Sequence, residues 1–239
     1  MTELVALDAA SVRLSAHTGA QLALNQVSLR IAAGERIALV GANGSGKSTL
    51  LRLINGLLLP LEGQVQLRPG LSQAMLFQRP HMLRLSVLRH VALGLWLRGL
   101  PWAAARTQAL QALQRVGLAK LATQAARTLS VGQQQRVAMA QAIAIEPALL
   151  LLDEPTASLD PHAKREVEGL MEDFARYHPQ AAMVFASHNL GQVKRLAQRV
   201  LYLEGGRLLA DLPVADFFNP VVLQSHSASA HLFTQGELT

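Results

Sequence analysis

Residues 41–49 read GANGSGKST, directly after the apolar run RIALV and directly before LLRLING. A glycine-rich turn closing on Lys-Ser, between a buried-strand pattern and a helical one, satisfies G-x-x-x-x-G-K-[ST] in the context that gives the pattern its meaning. Gly41, Gly44 and Gly46 let the backbone wrap closely around phosphates. The loop N–H groups and the helix N-terminus supply partial positive charge, Lys47 reaches the β and γ phosphates, and the Ser48 hydroxyl can ligate Mg²⁺. A purely structural glycine turn has no need of the Lys-Ser pair, so the stretch is read as a site for a nucleoside triphosphate.

The rest of the chain arranges itself around that loop. VRLSAHTGAQLALNQVSLRIAAGERIALVG alternates apolar and polar residues, with turn signals near Gly19 and Gly34, and predicts an antiparallel sheet. A helix follows the phosphate loop and Gly56 closes it. SVLRHVALGLWLRG and AARTQALQALQRVGLA carry apolar positions at helical spacing, broken at Gly99-Leu100-Pro101, and predict a small helical subdomain. ALLLLDEP and AAMVFASHN read as buried strands, and RVLYLEGGRLLAD as a hairpin turning at Glu204-Gly205-Gly206. The predicted fold is α/β with a largely parallel sheet, an N-terminal antiparallel subdomain and a helical insert. One domain of 239 residues is expected: a core of 1–79 and 146–220, an insert of 80–145, and a tail of 221–239 without sustained period, read as loosely ordered.

Composition excludes several classes. Half of the residues are hydrophobic, yet runs such as INGLLLPL are too short to span a bilayer, which takes about 20 residues. The start, MTELVALDAASVRLS, lacks the basic and apolar blocks of a signal peptide, so a cytoplasmic location is expected, and the absence of cysteine agrees with it. The formal net charge of +6 is unevenly spread, with no acidic residue between Glu62 and Glu146. That stretch is either a solvated helical face or a surface for acidic lipid or an acidic protein partner. At 4% aromatic residues the chain is poorly supplied with stacking platforms for nucleic acid, and none is expected as a partner.

Further residues carry chemistry. Asp153 and Glu154 close an apolar strand, where parallel α/β sheets bind ligands. Asp153 can hold Mg²⁺, and Glu154 can polarise an attacking water as general base. Taken singly, His188 after MVFAS reads equally as a partly buried histidine, and Gln78 in LFQRP as an ordinary loop glutamine. Residues 129–136, LSVGQQQR, add a second loop running into a helix, with an N-terminus aimed at an anion although one phosphate loop already suffices for one nucleotide.

Together these features resemble the ATP-binding subunit of ABC transporters, from about residue 5 to 218. The phosphate loop Gly41–Ser48, the Q-loop glutamine Gln78, the signature Leu129-Ser130-Val131-Gly132-Gln133, the Walker B pair Asp153-Glu154, the D-loop Ser158-Leu159-Asp160 and the switch His188 occur in the family's order and approximate spacing. The resemblance implies that Glu154, His188, Gln78 and Lys47 are catalytic. It implies that ATP is held by Gly41, Asn43, Gly44, Ser45, Gly46, Lys47, Ser48, Thr49 and, from an opposing subunit, Ser130, Gly132 and Gln133. His17 aligns with the residue that stacks on adenine, and Mg²⁺ falls to Ser48, Gln78 and Asp153. It further implies a head-to-tail homodimer at the cytoplasmic face of a membrane, serving integral permease subunits and, indirectly, a solute-binding protein.

Two positions depart from the family pattern. Val131 stands where the signature normally has glycine, which raises a glycine-only backbone or a blocked approach to phosphate. His17 replaces an aromatic residue and predicts a weaker stack on the base. Within importers, FQRPHMLRLSV, LGLWLRG and SHNLGQVKRLAQRVLYLEGGRLLADLPVADFF resemble subunits for oxyanions, tungstate first and phosphate or molybdate next. The alternatives are an importer or exporter ATPase for another substrate, or an ABC ATPase acting on DNA or ribosomes. The last needs a long coiled-coil insertion or a second cassette, and the run from Thr49 to Leu129 offers neither.

Overall fold

The computed structural model describes residues 2–14 and 22–236. Strand β3 (Arg36–Val40) lies inside a six-stranded sheet, and its residues from Ile37 to Val40 are fully buried. With β5 (Gln73–Leu76), β6 (Leu149–Leu152), β7 (Ala182–Ala186), β8 (Arg199–Glu204) and β9 (Arg207–Pro213) it forms the order β5-β6-β7-β3-β8-β9. The first five are parallel, and β9 is antiparallel to β8 as the Gly205-Gly206 hairpin requires. β6 is four leucines, all buried, which is the pattern of a strand covered on both faces.

A second sheet packs β2 (Leu22–Ala32), β1 (Glu3–Arg13) and β4 (Glu62–Leu67) antiparallel in the order β2-β1-β4. Its inward residues Leu7, Leu24 and Ile31 share one core with Leu50 and Ile54 of α1 (Lys47–Ile54) and with Leu149 and Leu151 of β6. The opposite face of the large sheet, through Leu150, Leu152 and Phe185, packs on Val167, Met171 and Phe174 of α5 (Pro161–Tyr177) and on Val193 of α6 (Leu190–Leu196).

The helical segment has a core of its own. Val87, Val91 and Leu95 of α2 (Val87–Leu97) meet Ala105, Ala109 and Leu113 of α3 (Trp102–Arg115). Helix α4 (Val131–Ala144) joins the two bodies, giving Val137 and Ala140 to the helical core and Met139 and Ala142 to the sheet core. Three of the arginines in the acid-free stretch are committed internally. Arg98 donates to Ser72 and to the Gln73 carbonyl, Arg127 to the Met82 carbonyl, and Arg136 pairs with Glu166 at 2.8 Å.

The tail, expected to be loose, is instead helical as far as Gln235. After the short α7 (Val214–Phe217), α8 (Pro220–His226) and α9 (Ala228–Gln235) are each capped by a polar side chain, Asn219 and Ser227 respectively. Leu223, Ala230 and Phe233 enter the sheet core, and the Phe233 ring lies 5.3 Å from that of Tyr202. Each helix is too short for a periodicity to register, so burial of single apolar residues does the ordering.

Candidate functional site

The phosphate loop leaves β3 and enters α1 through three glycines with left-handed φ: 146° at Gly41, 78° at Gly44 and 110° at Gly46. A Cβ at Gly41 would lie 2.1 Å from the Leu203 carbonyl oxygen, and one at Gly46 would lie 2.7 Å from that of Ala23. Both glycines are therefore demanded by close backbone approach as well as by φ. Lys47, Ser48 and Thr49 occupy the first turn of α1, where N–H groups have no intrahelical acceptor. Among the described residues the Ser45 hydroxyl is buried without a partner, as an orphan that a phosphate oxygen would satisfy. Asn43 is exposed at the loop's outer edge.

The Lys47 ammonium donates to the Gly41 and Ala42 carbonyls at 2.9 and 3.0 Å. Burial pulls its pKa below the usual lysine value, against the opposing pull of Glu154 and Asp153. Asp153 follows β6 and is 2% exposed, and its N–H donates to the Leu76 carbonyl. Burial pushes its carboxyl pKa up, while the hydrogen bond from Ser48 Oγ to Oδ1 at 2.8 Å holds it down. Two hard oxygen atoms thus sit side by side where α1 begins and β6 ends.

Glu154 adopts φ +47°, a left-handed conformation that costs a non-glycine residue about 1 kcal/mol or more. Its two carboxylate oxygens are claimed from different loops. Gln78 Nε2, after β5, donates to Oε2 at 2.8 Å, and His188 Nε2, after β7, lies 2.7 Å from Oε1. Strands β5, β6 and β7 are neighbours in parallel register, so their C-terminal ends bring these three side chains together. An acid held between an amide and an imidazole is oriented with a free lone pair for a water proton.

Ser130 and Gln133 do not join this cluster among the hydrogen bonds of the described residues. They form a reciprocal capping box at the N-terminus of α4 (Ser130 N to Gln133 Oε1 at 3.0 Å, Gln133 N to Ser130 Oγ at 3.3 Å). Gly132 packs so closely on α5 that a Cβ there would meet Ala163 Cβ at 2.8 Å. Val131 occupies the first helical position, is 62% exposed and is not among the residues with positive φ, which corrects the expectation of a glycine-only backbone. His17 lies outside the described residues.

The polar groups behind the cluster belong to no motif. Gln192, Ser187 and Glu168 are all buried, with Gln192 hydrogen-bonded to each of the other two, and only the Asn189 cap before α6 hints at them in the sequence.

Comparison with known proteins gives the site its family. The model of the ABC transporter family matches residues 24–157, from β2 through the Walker B carboxylates. The nickel import ATP-binding protein of Rhodobacter capsulatus is 37% identical over 214 residues, covering 81% of this chain and 84% of that protein. The tungstate uptake system ATP-binding protein of Peptoclostridium acidaminophilum is 34% identical over 196 residues, covering 80% and 91%. Among solved structures, a dimeric ATP-binding cassette in a post-hydrolysis state bound to ADP and Pi superposes with a TM-score of 0.79 at 27% identity, covering 88% of this chain and 99% of that one. With the phosphate loop beside Asp153, the Glu154 carboxylate between Gln78 and His188, and relatives that are themselves ATP-binding subunits, the chain belongs to the ABC transporter family, as an ATP-binding subunit that hydrolyses ATP.

Proposed function

We propose that two copies of the chain associate head to tail, each presenting Ser130, Gly132 and Gln133 to the ATP held by the other's phosphate loop, and that closure of this sandwich drives a membrane importer. The observation that carries the reading is the split of the machinery. One chain gathers Lys47, Ser48, Asp153, Glu154, Gln78 and His188 at the C-terminal ends of β3, β5, β6 and β7, while its second anion-directed helix start is capped, exposed and unconnected to them among the described hydrogen bonds. The solved cassette bound to ADP and Pi is itself dimeric.

Within the site, Lys47 meets the β and γ phosphates, and the first-turn N–H groups of α1 meet the anion with the helix dipole. Glu154 takes the proton of the attacking water, and His188 and Gln78 hold its carboxylate in line. Mg²⁺ fits the hydrogen-bonded oxygen pair of Ser48 and Asp153, and Gln78 would add its amide oxygen. No group of three or more metal-binding His, Cys, Asp or Glu side chains exists among the described residues, so phosphates and water would complete the shell, as Mg²⁺ prefers. When bound, the ion neutralises charge on the phosphates.

Among the described residues no helix is long and apolar enough to cross a membrane, so transport requires a separate permease at whose cytoplasmic face the chain binds. A groove of about 420 Å³ beside Gln78, lined by Phe77, Met82, Leu83, His90 and Arg98, suits a short permease segment. A solute-binding protein would deliver the cargo. The tungstate relative favours an oxyanion, tungstate before molybdate or phosphate, and the nickel relative favours a metal cation as the second reading.

Because the chain has no cysteine, the dimer can be tested directly. Asn43→Cys and Ser130→Cys, combined in a Glu154→Gln background and treated with a bifunctional thiol reagent, should give an ATP-dependent covalent dimer. Mixing the two single-cysteine chains should give the mixed link. Links confined within one chain, or indifferent to ATP, would overturn the head-to-tail site. Elemental analysis of cells lacking the gene would separate tungsten or molybdenum deficiency from nickel deficiency.

A further inference from the structure

Glu154 and His188 touch at 2.7 Å, but they stand on separate loops after separate strands. Behind them runs a buried relay centred on α6. Gln192, with 0% exposure, donates from Nε2 to Thr156 Oγ1 and to Glu168 Oε1, each at 3.1 Å. Its Oε1 accepts from Ser187 Oγ at 2.6 Å, and Ser187 Oγ accepts from the Asn189 N–H at 3.0 Å. The Gln192 N–H donates in turn to Asn189 Oδ1 at 2.8 Å. Glu168, on α5, is held at its other oxygen by Arg195 at 2.6 Å.

The direction of the side-chain bonds at Gln192 follows from one group. An ionised carboxylate accepts only, so the Gln192 amide must turn its nitrogen to Glu168 and its oxygen to Ser187. Ser187 then spends its proton on Gln192 and offers a lone pair to the backbone of the loop that carries His188. The second amide proton reaches Thr156, two residues after Glu154. One side chain without solvent contact thereby fastens both catalytic loops to the same helix. Strained backbone such as that of Glu154 persists only where its surroundings over-determine it.

We infer that Gln192 is a positioning residue for ATP hydrolysis, setting the separation of Glu154 and His188 through Thr156 and Ser187. The inference rests on the roles assigned to Glu154 and His188 above. Gln192 touches neither nucleotide-facing loop glycines nor Lys47 in the hydrogen bonds of the described residues, so its loss should act on turnover and leave ATP affinity alone.

The test measures kcat, KM and ATP binding for the full chain as Gln192→Met, Thr156→Val, Thr156→Ser and Glu154→Gln, with thermal melting of each. Gln192→Met keeps the volume and removes all three side-chain bonds. Thr156→Val removes one bond without a cavity, and Thr156→Ser restores it. Expected are losses in kcat of about tenfold or more for Gln192→Met and Thr156→Val, with KM and ATP affinity within about twofold, and recovery in Thr156→Ser to within about threefold of the native rate. If Gln192→Met fails to fold, the Val and Ser pair at Thr156 decides. Wild-type kcat in Thr156→Val, a rise in KM at constant kcat, or equal losses in Val and Ser would overturn the inference while an inactive Glu154→Gln leaves the site assignment standing. An active Glu154→Gln would overturn both.

Discussion

Replacing Gly41 or Gly44 by alanine separates two demands that the phosphate loop makes on glycine. At Gly41 an added Cβ would stand 2.1 Å from the Leu203 carbonyl oxygen and 2.9 Å from Ser45 Oγ, on a backbone at φ +146°. The first of these atoms is main chain of β8 and cannot swing aside, so the loop must retreat by about 1.3 Å to reach the 3.4 Å of ordinary contact. Overpacking of this kind costs about 1–3 kcal/mol and the backbone conformation a comparable amount, for a sum of about 3 kcal/mol or more. At Gly44, φ is +78° and the Cβ would meet nothing within 4 Å, leaving only the left-handed backbone cost of about 1 kcal/mol. For a chain of this size each kcal/mol moves the melting temperature by about 2–4 °C. Gly41→Ala should therefore melt about 6–12 °C below the native chain in the absence of nucleotide, and Gly44→Ala about 2–4 °C below it. Gly41→Ala should also weaken ATP binding strongly, because the Gly41 carbonyl that accepts from Lys47 moves with the loop. Differential scanning fluorimetry of both apo variants beside titration with ATP gives the answer. Equal melting temperatures in the two variants would refute the argument from close approach.

Asp153→Asn should abolish ATP turnover yet raise the apo melting temperature at neutral pH by a few degrees. A carboxyl whose folded pKa is raised by burial contributes stability when protonated and loses it as pH rises from its unfolded value of 3.8, so the gain from asparagine should shrink toward pH 4; a gain independent of pH would contradict the burial argument. Val131→Gly should raise turnover by removing an exposed side chain from the helix start proposed to face the partner's nucleotide, with melting within about 2 °C of native. Unchanged or lower turnover would show that this side chain is no obstacle. Phe233→Ala should cost about 3 kcal/mol, read by denaturant unfolding, because the ring packs on Tyr202 in the sheet core; a neutral effect would return the tail to the loosely ordered state expected from its sequence.

The parts of this structure legible in the sequence are those in which a local pattern and a chemical requirement coincide. RIALV-GANGSGKST could only be a buried strand, a glycine turn and a helix start, and the carboxylates after LLLL had to lie at a strand's end. What stayed hidden depends on neighbours in space. The order β5-β6-β7-β3-β8-β9 follows from packing across the whole sheet, and it is this order that delivers Gln78 and His188 to opposite oxygens of Glu154. The helices α8 and α9 had their cap signals in Asn219-Pro220 and Ser227, but seven and eight residues are too few for periodicity to outweigh noise. Val131 departs from the family signature in residue type alone, because Ser130 as N-cap places it at an ordinary helical position. A glutamine such as Gln192 carries no sequence signal, since its meaning lies in three partners on three other segments.

The electrostatics of the site point the same way as its geometry. Burial shifts Lys47 and Asp153 in opposite directions, each toward its neutral form, and each is only partly relieved by the contacts the chain itself supplies. Among the described residues Lys47 has two carbonyl acceptors, and the only side-chain donor to the Asp153 carboxylate is the Ser48 hydroxyl. Such groups cost folding free energy, and what relieves them is a ligand bearing both signs of charge. In the proposed site a polyphosphate would supply the anion for Lys47 and its accompanying cation the positive charge for Asp153, so one binding event would release both strains. Neither half of that ligand alone relieves both groups. ATP without a divalent cation should consequently stabilise the fold less than the complex does, by a margin that Asp153→Asn removes.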